Sequence, residues 1–228
     1  VALGEGGKAF YRKAFLEQDS ATLTGSDMVR VLTRFQQLRA YVPEKYAGLK
    51  WHQATNLLES GGAAMQIMGD WVKGELSAGN YRPGEDIDCL PSPGSQGLFS
   101  YNLDSIAMFK QRDPAQLQAQ GELARLLMTP RFQEEFNRVK GSIPALTQPD
   151  MSKFDRCAIR SYHDFQLAER DGNLLPSMAE GMAVPTNMRQ AIMDVLSSFF
   201  NDPKANSEQT AQQLERAMRS TRSGAEQK

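Results

Sequence analysis

Apolar residues along this chain recur mostly at helical spacing, and glycine- and proline-rich segments cut the pattern into short pieces. Phe10, Tyr11, Ala14 and Phe15 predict a short helix. Met28, Val31, Leu32, Phe35 and Leu38 predict an amphipathic helix ending before Pro43, with Thr24 and Asp27 at capping-box spacing ahead of it. A further helix opens at Trp51, with Ala54, Leu57 and Leu58 on one face, and stops at Gly61-Gly62. A tryptophan at a helix start is either a packed residue or a flat face for a ligand. Next comes a run without helical period, Ala63 to Met68, held between glycines. It predicts a buried strand around which the chain is organised. Asp70 and Trp71 follow Gly69 at once, and in an open α/β sheet ligands gather beyond the carboxyl ends of strands. An ordinary buried strand closed by a core tryptophan fits the same spacing.

Beyond Trp71 the pattern predicts a helical turn from Val72 to Ser77, a short strand from Ile87 to Leu90 and extended chain from Phe99 to Phe109. That extended segment holds Asn102 and Asp104, a polar pair that needs hydrogen bonds or a turn to be tolerated there. Asp113-Pro114 and Thr129-Pro130 both read as an N-cap with proline at the first helical position. Leu117, Ala124, Leu127 and Met128 would be the buried face of the first of these helices. Phe132 and Phe136 carry the second to Lys140-Gly141. Lys140 at a helix C-terminus either compensates the helix dipole or donates to a ligand hydroxyl. Phe154 to Arg170 predicts another helix. A loop of small residues from Pro176 to Pro185 contains one acid, Glu180. Met188, Ile192, Val195, Leu196 and Phe199 predict the next helix, and Ala211, Leu214 and Met218 the inner face of a last one from about Ser207. The tail from about Thr221 is polar and expected to fray.

Composition narrows the function classes. The 228 residues hold 26 basic and 27 acidic side chains, a net charge of −1, so neither a nucleic-acid footprint nor a polybasic membrane patch is expected. No apolar run approaches the ~20 residues of a membrane span. The chain opens on Val1 with no signal segment, which says nothing about export. Two cysteines, Cys89 and Cys157, and two histidines, His52 and His163, show no metal-ligand spacing, so no metal and no cofactor is expected. From spacing alone the cysteines are two buried thiols or one disulfide.

Familiar catalytic patterns are missing. Gly4-Glu5-Gly6-Gly7-Lys8 lacks the first glycine of a phosphate loop and has Ala9 where serine or threonine is needed, so it reads as a plain glycine-rich loop. There is no G-x-S-x-G elbow, H-E-x-x-H pair or dinucleotide fingerprint. The acids Asp70, Asp104 and Glu180 are the candidates for glycoside chemistry, without a spacing that fixes their separation.

Several stretches together resemble the solute-binding proteins of bacterial ABC sugar importers (extracellular solute-binding protein family 1), most closely the glucose- and mannose-binding type. They are Trp51-His52-Gln53-Ala54; Ala63 to Glu75 with Met68-Gly69-Asp70-Trp71 at its centre; Pro91-Ser92-Pro93-Gly94; and Tyr101-Asn102-Leu103-Asp104-Ser105. Phe132 to Asn137, Lys140-Gly141-Ser142-Ile143-Pro144 and Leu175 to Ala183 continue the series in family order. The resemblance implies an α/β fold: the helix-rich carboxyl-terminal part of a two-lobed periplasmic binding protein of type II, with most of the amino-terminal lobe absent. Residues 1–94 and 145–228 would belong to the second lobe, and 95–144 would cross the hinge into the first, leaving apolar surface uncovered without it.

What the resemblance implies for function is capture of a monosaccharide in the periplasm and delivery to the transmembrane subunits of an ABC permease, by a monomer that catalyses nothing. Trp51 and Trp71 match the aromatic residues that stack on the sugar, Asp104 the acid that accepts from its hydroxyls, and Lys140 the lysine that donates to them. Glu180 stands where the family usually presents histidine. A carboxylate only accepts where imidazole also donates, so glucose, another hexose, a disaccharide or a cationic sugar remain open as ligand. Cysteines in such positions in some relatives, together with an oxidising periplasm, imply a Cys89–Cys157 disulfide. The alternatives in other classes are a carbohydrate-active enzyme using the cleft acids and a sugar sensor feeding a chemoreceptor.

Overall fold

The computed structural model describes residues 1–43, 46 and 48–223. In chain order the elements are α1 (Ala2–Tyr11), a π-helical turn (Arg12–Leu16), α2 (Ser20–Thr24), α3 (Ser26–Gln37), a 3-10 turn (Leu38–Tyr41), α4 (Trp51–Glu59), α5 (Val72–Ala78) and β1 (Phe99–Tyr101). They continue with α6 (Pro114–Leu127), α7 (Pro130–Lys140), α8 (Arg156–Arg170), β2 (Leu174–Pro176), α9 (Thr186–Asn201) and α10 (Ser207–Ser223). None of the helices among the described residues is long and apolar enough to cross a membrane.

The chain packs as two compact units. One comprises Val1–Glu44, Pro91–Leu103 and Leu167–Lys228. Its core is built where helical periodicity predicts it: Met28, Val31 and Leu32 from α3, Met188, Ile192 and Phe199 from α9, and Ala211, Leu214 and Met218 from α10, closed by Phe10, Tyr11, Ala14 and Phe15. Such spacings place side chains on one helix face, and their burial supplies most of the unit's stabilisation. The parallel strands β1 and β2 pair Phe99 with Leu174, Ser100 with Leu175 and Tyr101 with Pro176. The Tyr11 hydroxyl donates to the Pro176 carbonyl and accepts from the Met178 N–H, both at 2.8 Å, tying the end of β2 to α1.

The second unit comprises Lys45–Leu90 and Asp104–Gln166. Among the described residues its buried side chains are fewer and include Thr55, Leu76, Phe154, Cys157 and Ala158, with Gln133, Asn137 and Lys73. A disulfide joins Cys89 to Cys157 across a Cα separation of 5.5 Å, as the family resemblance implied. Arg160 reinforces the same junction by donating to the Cys89 carbonyl.

Several local expectations are corrected. Residues 63–69 form no strand, and Met65 and Ile67 are 84% and 70% exposed. A strand needs a neighbour for its N–H and C=O groups, and among the described residues none pairs with this run. Ile87 makes only an isolated bridge to Pro83, so Ile87–Leu90 is not a strand either. The extended segment from Phe99 keeps strand pairing only to Tyr101. Gly4 to Lys8 lies in α1, not in a loop, although the helix is interrupted at Gly7.

The capping-box spacing of Thr24 and Asp27 is not used as a cap. Gly25 is the N-cap of α3, Thr24 bonds back to the Ser20 carbonyl, and Asp27 pairs with Arg30. The α6 face expected to be buried is open. That helix buries no residue, and Leu117 and Met128 are exposed, because no other described element covers them. The helix starts at Asp113-Pro114 and Thr129-Pro130 form as expected, with both side chains capping. Of the polar tail, α10 runs to Ser223, and residues 224–228 lie outside the described residues.

Candidate ligand-binding site

The Asp70-Trp71 turn leads directly into α5, with Trp71 as its N-cap residue. The indole folds back over Gly69: a Cβ on that glycine would lie 2.1–2.5 Å from ring carbons of Trp71, so this ring position requires glycine there. The first turn of α5 is pressed against the end of α7 through a pair of glycines. A Cβ on Gly74 would sit 2.8 Å from the carbonyl oxygens of both Val139 and Lys140. One on Gly141 would sit 2.7 Å from the Gly74 nitrogen and 2.9 Å from the Asp70 carbonyl oxygen. Gly141 is also the left-handed residue that ends α7, with φ 86°. The turn that carries Trp71 and the helix end that carries Lys140 are therefore fixed to each other by backbone contact.

Lys140 donates from Nζ to Asp104 Oδ2 at 2.5 Å. The structure thus brings together the acid and the base that the sequence marked separately. The pair is partly open to solvent, where an ion pair contributes only about 0–1 kcal/mol to folding. Its polar atoms remain available to a ligand hydroxyl, which needs one acceptor and one donor.

Burial pushes the Asp70 carboxyl above the ordinary carboxylate value, while the charges of Lys73 and Lys140 pull it back. Lys73 is 2% exposed, and burial lowers its proton affinity against the opposing pull of Asp155 and Asp70. Its ammonium stands 3.5 Å from Asp155 Oδ1 and makes no hydrogen bond of ordinary geometry among the described residues. The signs for stability follow. A lysine depressed in the folded state costs most below its folded value, and that cost fades as pH rises toward the ordinary lysine value. A carboxyl raised in the folded state costs most above its folded value, and that cost is relieved as pH falls through it.

Trp51 opens α4 and is 41% exposed, so it is not the packed core residue that a helix-start tryptophan often is. Its carbonyl accepts from Gln66 in the central stretch at 3.4 Å, and its ring meets His52 edge-on. Trp51, Trp71, Asp104 and Lys140 all lie in the second unit, whereas Glu180 lies in the first. Glu180 is exposed on the loop after β2, where its backbone N–H donates to Ser177 Oγ. Among the described residues no cluster of histidine, cysteine or acidic side chains is arranged to hold a metal ion. Lys73 and Asp155 were not singled out from the sequence. The i, i+3 spacing from Asp70 was the one visible signal for Lys73, and it does not reveal that this lysine is buried.

A protein of Brucella suis named probable sugar-binding periplasmic protein is 40% identical over 198 residues, 86% of this chain and 46% of its own length. One of the same name from Rhizobium meliloti is 39% identical over 211 residues, 91% of this chain and 50% of its own. The chain is similar to sugar-binding periplasmic proteins. A more distant relative in Pyrococcus horikoshii, named uncharacterized ABC transporter extracellular-binding protein, is 27% identical over 201 residues, 88% of this chain and 44% of its own. The chain spans about half the length of the curated relatives it matches. No protein-family model matches it.

Proposed function

We propose that this chain is the carboxyl-terminal part of the sugar-capturing component of an ABC importer, acting in the periplasm without catalysis. The observation that carries the reading is the Rhizobium meliloti match. It covers so much of the chain that the unmatched ends are too short to exclude Trp51, Trp71, Asp104, Lys140 or Glu180. In this reading a monosaccharide lays an apolar C–H face on the indole of Trp71, with Trp51 as a second aromatic contact. A hydroxyl enters the Asp104–Lys140 pair, donating to the carboxylate and accepting from the ammonium. Part of the stretch 95–144 crosses toward the first lobe, while the α5–α7 contact keeps the end of α7 beside the Asp70-Trp71 turn. The exposure of Leu103, Ile106, Met108, Phe109 and Leu117 supports that crossing. Closure of the two lobes is driven only by the sugar's additional affinity for the closed state. The loaded monomer then meets the permease subunits. The disulfide is in keeping with an oxidising compartment.

The test compares sugar binding in the chain joined to the amino-terminal half of the Rhizobium meliloti relative, with and without Trp71→Ala. Loss of the stacking face is expected to weaken affinity about tenfold, or ~1.4 kcal/mol, while the thermal midpoint moves little. Unchanged affinity would remove Trp71 from the site. Glycan cleavage by the same protein would replace capture with catalysis.

A further inference from the structure

Lys73 is the most deeply buried charged side chain among the described residues, and its burial has no evident stability rationale. A lone ammonium in a small core with one ion pair at 3.5 Å is poorly compensated, and an apolar residue of similar length often serves stability as well or better. Its neighbours suggest another use. Asp155 Oδ1 accepts both from the Ala158 N–H, capping the start of α8 at 2.8 Å, and from the ion pair with Lys73. Two residues on, Cys157 carries the disulfide. Toward the platform, the Asp70 carbonyl accepts from the Lys73 N–H at 3.1 Å and lies against the Gly74–Gly141 contact, and the chain neighbour of Asp70 is Trp71. A connected path thus runs from the disulfide through the α8 cap to the turn that carries the candidate platform.

We propose that Lys73 is a positioning residue. Its ammonium, paired with Asp155, ties the Asp70-Trp71 turn to the start of α8 and so holds the Trp71 indole in register with the end of α7. The consequence for sugar affinity rests on the reading of Trp71 as a ligand contact; the positioning itself does not. The charged groups that act on Lys73 are Asp155 and Asp70, and Lys140, paired with Asp104, acts on Asp70 in turn.

The chain has two tryptophans, so Trp51→Phe leaves Trp71 as the only indole. In that protein, Trp71 emission and acrylamide quenching are followed from about pH 6 to about pH 11, with Lys73→Met and Asp155→Asn as variants. The parent is expected to show a transition with its midpoint below the ordinary lysine value. Lys73→Met abolishes that transition and leaves the indole more open to quencher at neutral pH. Asp155→Asn keeps the α8 cap, because asparagine also caps, and moves the midpoint lower. Tyrosine ionisation is common to all three proteins and cancels in the comparison.

If Trp71 in Lys73→Met follows the parent at every pH and only the thermal midpoint changes, Lys73 is merely structural and the proposal falls. If Lys73→Met does not fold, Asp155→Asn decides, and an unmoved midpoint overturns the proposal. Glucose titration of the proteins with Trp51 intact, each joined to the amino-terminal half of the Rhizobium meliloti relative, separates the two readings. No binding by the parent, with the Trp71 transition still dependent on Lys73, removes the ligand role of Trp71 and leaves the positioning standing.

Discussion

Replacing Cys89 and Cys157 together by serine should lower the folding stability of this chain by about 2–4 kcal/mol. The bridge spans 68 residues of sequence, so its loss frees a long loop in the unfolded chain. The folded side adds to this. The second unit has a thin core, and Cys157 is one of its few buried residues. The cystine also anchors the start of α8 to the segment around Cys89, where Arg160 bonds the Cys89 carbonyl and pairs with Asp88. Urea denaturation of the double variant, and of the parent with and without reductant, measures the effect. Reduction and substitution should produce similar losses. A loss of only a few tenths of a kcal/mol would mean that the unit is held by packing alone.

Gly141→Ala should destabilise by about 1–3 kcal/mol and shift the Trp71 signal with it. Two causes act together. The residue sits at φ 86°, where a side chain is disfavoured. The new Cβ would also lie 2.7 Å from the Gly74 nitrogen, 2.9 Å from the Asp70 carbonyl oxygen and 3.0 Å from Lys73 Cβ. Two of these are backbone atoms, so relief requires the whole turn to move away from the end of α7. The expected result is therefore a coupled loss: a lower denaturation midpoint together with altered Trp71 fluorescence. A destabilised protein with unchanged Trp71 emission would show that the turn does not depend on this contact.

Helical periodicity made the first unit legible. The inner faces of α3, α9 and α10 are the residues that the spacing selects, because a stripe at i, i+3, i+4 and i+7 has one buried side wherever the helix packs. The proline and capping signals before α6 and α7 are local chemistry and were equally readable. Strands were not. A short apolar run has no period that distinguishes a strand from exposed chain, and its fate depends on a distant partner, as residues 63–69 and 87–90 show. The open face of α6 is illegible for the same reason, since the spacing of Leu117 and Met128 says that a face is apolar but not that something covers it. Within the site, Asp104 and Lys140 were each readable as polar groups in unusual places, but their 2.5 Å contact joins residues 36 apart in sequence. The burial of Lys73 is tertiary information that no local pattern carries.

Calorimetric titration with glucose, galactose, mannose and a few disaccharides is the most direct measurement, made on the chain joined to the amino-terminal half of the Rhizobium meliloti relative. Saturable binding of one sugar, recovered intact and weakened by Trp71→Ala and Lys140→Met, is the result expected. No heat of binding for any sugar from a folded protein would contradict sugar capture by this site.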